Sequence, residues 1–184
     1  MGRRALADGD TDKAETYLER AKKLFPEYAE EGSPYIVLAE MHEDAGRTAR
    51  AASELQTFVD INENHYDAHV KLGQLYQELG ETEQAALILE RALYIYPFEL
   101  TVHQDLARLL RESERYQDVV SERRALVALT TDRAQALYDL ALAYHEAGDN
   151  VSARRELLRA LELAPAFKDG LFLLLKLQAA EGDA

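Results

Sequence analysis

Histidines and carboxylates are the residues of this 184-residue chain that could do chemistry, because the sequence contains no cysteine. His65 and His69 are four residues apart, a spacing that could place two imidazole ligands for a metal ion on one helical face. His65 falls in a predicted loop, however, and no third ligand lies close by in the sequence. His69 and His103 occupy the same position of a sequence repeat, which favours a packing role. The sequence therefore predicts no metal site.

An acidic stretch at residues 8–12, DGDTD, followed by Glu19, imitates the beginning and end of a calcium-binding loop. Such a loop needs glycine at its sharp bend, where this chain has Lys13. A solvated acidic turn that caps the next helix is the favoured interpretation. The other Asp and Glu residues are typical of solubilising helix faces.

Catalytic motifs are missing from the sequence, which contains no HExxH, no glycine-rich phosphate loop and no GxSxG. We therefore predict no catalytic residue and no cofactor, and a protein that is not an enzyme. The formal charge of −13 argues against binding to a nucleic-acid backbone or an anionic lipid surface. Neither a signal peptide nor an apolar run of about 18 residues is found, which slightly favours a cytoplasmic location and predicts no membrane insertion.

The spacing of apolar residues indicates the elements that hold these side chains. Residues 66–99 form two amphipathic helical patterns with a turn at Gly80 and a stop at Pro97. This unit recurs along the chain with a period of 34 residues. One register holds Gly46, Gly80, Glu114, Gly148 and Gly182. Helices are predicted over residues 11–24, 34–45, 48–61, 66–79, 82–95, 100–112, 116–129, 133–146, 150–163 and 167–180.

The recurring residues carry a resemblance to the tetratricopeptide repeat family, whose mark is an aromatic, Leu and a small residue, then Tyr, Ala, a bulky residue and Pro. The unit 66–99 has His69, Leu72, Gly73, Tyr76, Ala85, Leu89 and Pro97 at these positions. The unit 134–167 has Leu137, Leu140, Ala141, Tyr144, Ala153, Leu157 and Pro165. The unit 32–65 matches less fully, with His42 in the Tyr position.

The resemblance implies an all-α fold, a right-handed superhelical solenoid of antiparallel helix pairs with about four complete repeats and a half repeat at each end. We predict a single domain over residues 1–184. Its parts are a partial repeat with an insertion at 1–31, repeats at 32–65, 66–99, 100–133 and 134–167, and a C-terminal helix at 168–184. The repeat 100–133 should be the least regular, because Glu114 replaces the turn glycine and Arg123 replaces a bulky apolar residue.

In this family the first helices of successive repeats line a concave groove that binds peptides. By register the groove positions are Ile36, Glu40 and Glu43, then Val70, Gln74 and Gln77, then Gln104, Arg108 and Arg111, then Tyr138, Leu142 and His145, then Phe172 and Lys176. The expected floor is acidic at its N-terminal end, polar in the middle, basic at Arg108 and Arg111, and apolar beyond. It fits a segment with an acidic group and an apolar side chain. The alternative is a merely solvated face.

The last helix is apolar on nearly every side, with the sequence LFLLLKL at residues 171–177. Register predicts that Leu171, Leu174 and Leu175 pack on the preceding repeat, 134–167. Phe172, Leu173 and Leu177 are then left without a packing partner in the prediction. One interpretation is that this helix packs more of itself against the chain or against a continuing helix. The other is self-association through Phe172, Leu173 and Leu177, such as a homodimer.

The predicted function is that of a non-catalytic protein–protein interaction scaffold, or adaptor, that binds a peptide or protein segment in the groove. Two alternatives stay open, the first because of the incomplete repeats at the two ends and the second because of the apolar residues 171–177. The chain could be the tail or regulatory domain of a larger multidomain enzyme, or it could be a self-associating solenoid.

Overall fold

The computed structural model of the chain describes residues 1–30 and 32–182. Within these residues all regular structure is α-helical, as predicted. The eleven helices described there are α1 Gly2–Ala7, α2 Thr11–Leu24, α3 Pro34–Asp44, α4 Thr48–Ile61, α5 Tyr66–Glu78, α6 Thr82–Ile95, α7 Leu100–Glu112, α8 Tyr116–Leu129, α9 Arg133–Glu146, α10 Asn150–Leu163 and α11 Lys168–Gly182. The ten predicted helices end within two residues of these bounds.

Contacts divide the chain into two compact units, Met1–Pro97 and Phe98–Ala184. Unit 1 holds α1 to α6, and unit 2 holds α7 to α11. Within each unit the main contacts join helices that follow one another in the chain, such as α5 with α6 and α9 with α10. A short turn between such helices makes each pair antiparallel. The repeat boundaries and the single domain given above stay predictions.

Polar side chains fix where several helices begin. Ser33 accepts a hydrogen bond from the Tyr35 amide at 3.3 Å, and Pro34 occupies the first position of α3, where its missing N–H costs nothing. Asp10 accepts from the Lys13 amide at 3.1 Å at the start of α2. The acidic stretch at residues 8–12 therefore acts as a helix cap, as predicted.

The turns inside the pairs require a left-handed residue. Gly80 has a φ of +74°, and its amide donates to the Gln77 carbonyl at 3.0 Å. Glu114 has a φ of +57° and makes the equivalent bond to Arg111 at 3.0 Å. The repeat that lacks glycine thus keeps the common turn and bears the strain of a side chain in a left-handed conformation.

Small residues let paired helices approach closely in the core. A Cβ added to Gly73 on α5 would lie 2.5 Å from Leu89 Cδ2 on α6. Leu89 itself is 1% exposed, and its register equivalent Leu157 is fully buried in unit 2. Arg123 occupies the same register on α8, where its side chain is 17% exposed and its guanidinium lies 3.5 Å from Asp139. Burial lowers the pKa of Arg123.

The packing of α11 differs from the prediction. Leu173 and Leu177 are buried, at 6% and 2% exposure, whereas Leu171 and Leu175 are exposed. The prediction for these four residues is wrong because it gave α11 the packing face of the earlier first helices, each of which is followed by the second helix of its pair. In the described residues α11 packs on α10, so the face turned toward α10 is the buried one.

Candidate protein-binding surfaces

The first-helix face of unit 1 is formed by α3 and α5. Of the predicted groove residues, Glu40 and Gln74 are exposed, and Ile36, Val70 and Gln77 are partly buried. Glu43 on α3 accepts a hydrogen bond from Lys71 on α5. This face is polar. Of its two predicted acidic residues, Glu40 and Glu43, Glu43 is already paired with Lys71 of the same chain.

The first-helix face of unit 2 is formed by α7, α9 and α11. Gln104 and Arg108 are exposed on α7, and Arg111 is about one third exposed. On α9 the predicted residues are partly buried, and on α11 they are exposed. These residues are Tyr138, Leu142 and His145 on α9, and Phe172 and Lys176 on α11.

Both arginines of the predicted basic patch have carboxylate partners within the chain. Arg111 Nε donates to Glu146 Oε2 at 2.9 Å and so ties α7 to α9. Arg108 donates to Glu112 Oε1 at 3.0 Å within its own helix. The sequence analysis missed the pair with Glu146, because those two residues are far apart in the chain. A carboxylate from a partner would have to compete with these internal ion pairs.

Aromatic and imidazole groups lie beside the arginines on α9. Tyr138 packs edge to face on Phe167, with ring centroids 5.1 Å apart, and partial burial raises the pKa of its phenol. His145 Nδ1 lies 2.7 Å from Asn150 Oδ1 and donates to that oxygen. Tyr138 therefore keeps a fixed ring with part of its surface in solvent, which is the form of an anchor residue.

The histidines have structural roles. His42, His69 and His103 are buried, as the repeat register predicted. His65 Nδ1 accepts from the Ala68 amide at 3.2 Å and caps α5, which explains its position in the loop. Among the described residues no group of three potential ligands is close enough to hold a metal ion.

The described residues also form an exposed apolar stripe on α11 and an apolar pocket in unit 1, and the stripe shares Phe172 with the predicted groove. The α11 stripe consists of Leu171, Phe172 and Leu175, whose exposures are 42%, 73% and 64%. The buried positions of Leu173 and Leu177 remove them from the predicted self-association surface. Phe172 is the predicted member that remains available.

The second apolar region is a pocket of about 840 Å³ in unit 1, named here the α2 pocket. It is lined by Met1, Gly2, Tyr17, Leu18, Arg20, Ala21, Leu24, Phe25, Tyr28, Gly32 and Pro34. The sequence analysis missed it. The available signal was the apolar pair at residues 24 and 25, directly before the proline that ends the repeat.

Comparisons with known proteins identify the family. Profiles of the tetratricopeptide repeat match residues 43–110 and 134–167. This chain belongs to the tetratricopeptide repeat family. The predicted family is thus confirmed, and the tetratricopeptide repeat explains why glycine, alanine and leucine recur in phase. A comparison with curated proteins gives no significant match.

Solved structures share the tetratricopeptide repeat fold. A crystal structure of MamA is similar with a TM-score of 0.59 and 20% identity, over 88% of this chain and 93% of that one. YrrB, described as a TPR protein with an unusual peptide-binding site, has a TM-score of 0.61 and 15% identity, over 94% and 87% of the two chains. The complex of Naa15 and Naa10 bound to HypK-THB has a chain with a TM-score of 0.76 and 20% identity, over 99% of this chain and 28% of that one. Such low identities establish the fold alone. No described helix is long and apolar enough to cross a membrane.

Proposed function

We propose that this tetratricopeptide repeat chain is a non-catalytic interaction scaffold that binds a protein segment on the first-helix face of unit 2. The observation that carries the proposal is the arrangement of α7 and α9. Both helices are antiparallel to α8 and so run in the same direction, and the ion pair between Arg111 and Glu146 aligns them. By the 34-residue register, Arg108 and Leu142 occupy equivalent positions of α7 and α9, and so do Gln104 and Tyr138.

This face offers polar and apolar contacts side by side. Tyr138 and Leu142 are partly buried, so a partner can cover their remaining apolar surface with little loss of side-chain freedom. Arg108 and Arg111 can turn from their own carboxylates toward a carboxylate of the partner, because both pairs are partly open to solvent. We therefore propose an extended segment with an acidic group beside an apolar side chain.

The first-helix face of unit 1 is proposed as a weaker contact surface. Glu40, Gln74 and Gln77 offer hydrogen bonds to a separate polar segment, and Ile36 and Val70 contribute partly buried apolar area. The YrrB structure, described as having a peptide-binding site, supports peptide recognition as a use of this fold.

The proposal is tested by comparing two paired variants in affinity capture from the source lysate. The test variant combines Arg108→Glu with Tyr138→Ala. The control combines Arg50→Glu with Tyr94→Ala, which makes the same two chemical changes at exposed positions of the second helices α4 and α6. A protein captured by wild type and control, and not by the test variant, is the expected result.

A direct measurement of affinity then tests whether the captured protein binds at Arg108 and Tyr138. For the captured protein, purified and titrated by calorimetry, the test variant should bind about tenfold or more weakly than the control, as is usual when a tyrosine anchor is lost. Equal affinity of the two variants, at equal helicity and equal urea midpoint, would place the binding site elsewhere.

The exposed α11 stripe favours self-association as a second candidate function. Phe172, at 73%, is the most exposed of the three residues of the stripe. A homodimer through α11 would use Leu171, Phe172 and Leu175, since Leu173 and Leu177 are covered by their own chain.

A further inference from the structure

The α11 stripe has the register of a face that packs on a second helix. Its residues Leu171 and Leu175 lie 34 positions after Leu137 and Ala141 on α9. Those two residues of α9 are buried, at 3% and 0% exposure, and α9 packs closely on α10. The exposed residues Leu171 and Leu175 therefore occupy the positions at which the first helix α9 packs on the second helix of its pair.

The α2 pocket is the counterpart of that face. α2 is the second helix of its pair and packs on α1 through close contact between Gly2 and Leu18, as a Cβ added to Gly2 would lie 2.8 Å from Leu18 Cγ. Beyond Leu18 the last turns of α2 are open. Leu24 and Phe25 are 61% and 67% exposed there, and both line the pocket. The pocket is thus an apolar surface at the end of α2 that α1 leaves partly uncovered within the described residues.

We propose that the α11 stripe of one copy docks in the α2 pocket of another copy, head to tail. This inference rests on the second candidate function, self-association, and does not use the residues of α7 and α9 that carry segment binding on unit 2. The two surfaces are apolar and differ from each other, so the contact is heterologous, and a dimer keeps one free stripe on one copy and one free pocket on the other. Charge also matches, because Arg20 lines the pocket and Asp169 lies in the first turn of α11.

The first two turns of α11 carry the contact. Leu171 and Phe172 enter the pocket beside Leu24 and Phe25, and Leu175 lies at its edge. A crossing angle of about 50°, the commonest class for packed helices, carries the rest of α11 away from α1. The contact is small compared with stable dimer interfaces, so assembly should depend on protein concentration.

Complementation between two variants tests the proposal. The tail variant Phe172→Asp damages the stripe, and the head variant Phe25→Asp damages the pocket. Both side chains are largely exposed, so each variant should keep the helicity and urea midpoint of the wild type. Tyr94→Asp, at a 91% exposed position of α6, is the matched control.

Sedimentation velocity over about a hundredfold range of concentration provides the measurement. The wild type and the Tyr94→Asp control should pass beyond the mass of a dimer as concentration rises. Each of the two other variants alone should stay monomeric. An equimolar mixture of them should form dimers and nothing larger, because one intact stripe meets one intact pocket.

Three results would overturn the inference. The first is a wild type that is monomeric at all concentrations, and the second is a mixture of the two variants that stays monomeric. The third is a head variant that assembles like the wild type, because it would show that two α11 helices meet each other. The Arg108→Glu, Tyr138→Ala variant should assemble normally, so loss of segment binding and loss of assembly are separable.

Discussion

Replacing Glu114 with glycine should stabilise the protein by about 0.5–1 kcal/mol. Glu114 is the residue between α7 and α8 that adopts a φ of +57°, a conformation in which Gly46, Gly80 and Gly148 serve the equivalent turns. The backbone hydrogen bonds of the turn are already present, because the Arg115 amide donates to Leu110 at 2.8 Å. Glycine would therefore remove strain without changing the turn.

The magnitude follows from two opposing effects. A left-handed conformation costs an L-residue about 1–2 kcal/mol, because its Cβ approaches the following carbonyl oxygen. Glycine removes this strain but also increases the conformational freedom of the unfolded chain, which lowers stability by about 0.4–1 kcal/mol. The Glu114 side chain is exposed, so little packing is lost with it. The net effect is a modest stabilisation.

Urea unfolding monitored by circular dichroism measures the change. The midpoint should rise with an unchanged m-value, which indicates that the extent of unfolding is the same. Glu114→Ala separates strain from charge, because alanine removes the carboxylate and keeps the Cβ, and it should leave stability nearly unchanged. Gly80→Ala, at a φ of +74° in the equivalent turn of unit 1, should destabilise the protein by about 1 kcal/mol.

The reasoning would be refuted by a Glu114→Gly variant that is no more stable than the wild type while Gly80→Ala is tolerated. That pair of results would mean that the turn does not strain its left-handed residue. Equal gains from Glu114→Gly and Glu114→Ala would instead assign the effect to the removed charge.

Three further changes address the buried polar groups. Arg123→Leu should raise the unfolding free energy by about 1 kcal/mol in urea titrations, because it removes a desolvated guanidinium while Asp139 keeps its contact with solvent and its hydrogen bond from Gln135, and no gain would contradict this. Ser33→Ala should lower it by about 1–2 kcal/mol, since the buried Ser33 hydroxyl caps α3, whereas a change within error would show that the cap is dispensable. Burial, with the neighbouring Arg47 cation, lowers the pKa of His42. The stabilisation by neutral His42 is therefore complete above the unfolded pKa of about 6.5 and is lost as pH falls from there to the folded pKa. The stability of wild type relative to His42→Gln should shrink between about pH 8 and about pH 5, and a constant difference would refute the assignment.

The helices could be predicted because their signals are local and repeated. Periodic apolar residues, Ser33 before Pro34, and the glycines Gly46, Gly80 and Gly148 after three of the first helices fix the ends to within two residues. Even the strain at Glu114 was visible in the sequence, as a departure from an otherwise regular register. Local signals of this kind do not depend on which helices become neighbours.

The surfaces were harder to predict, because they depend on the neighbours of each helix. Leu137 and Leu171 occupy the same register position, and Leu137 is buried. Leu171 is exposed, because α11 packs on α10 with another face. The ion pair of Arg111 with Glu146 joins residues on different helices, and the α2 pocket joins α1, α2 and a loop. A single sequence carries no direct signal for such contacts.

The neighbour-to-neighbour packing within each unit has a consequence for folding speed and for the history of the gene. Contacts close in sequence need only short loop closures, so a helix pair can form early and its neighbours can add to it one at a time. The same locality means that duplication or loss of one 34-residue unit leaves the remaining pairs with most of their partners. The number of repeats in such a chain can therefore change while the packing between neighbouring helices stays the same.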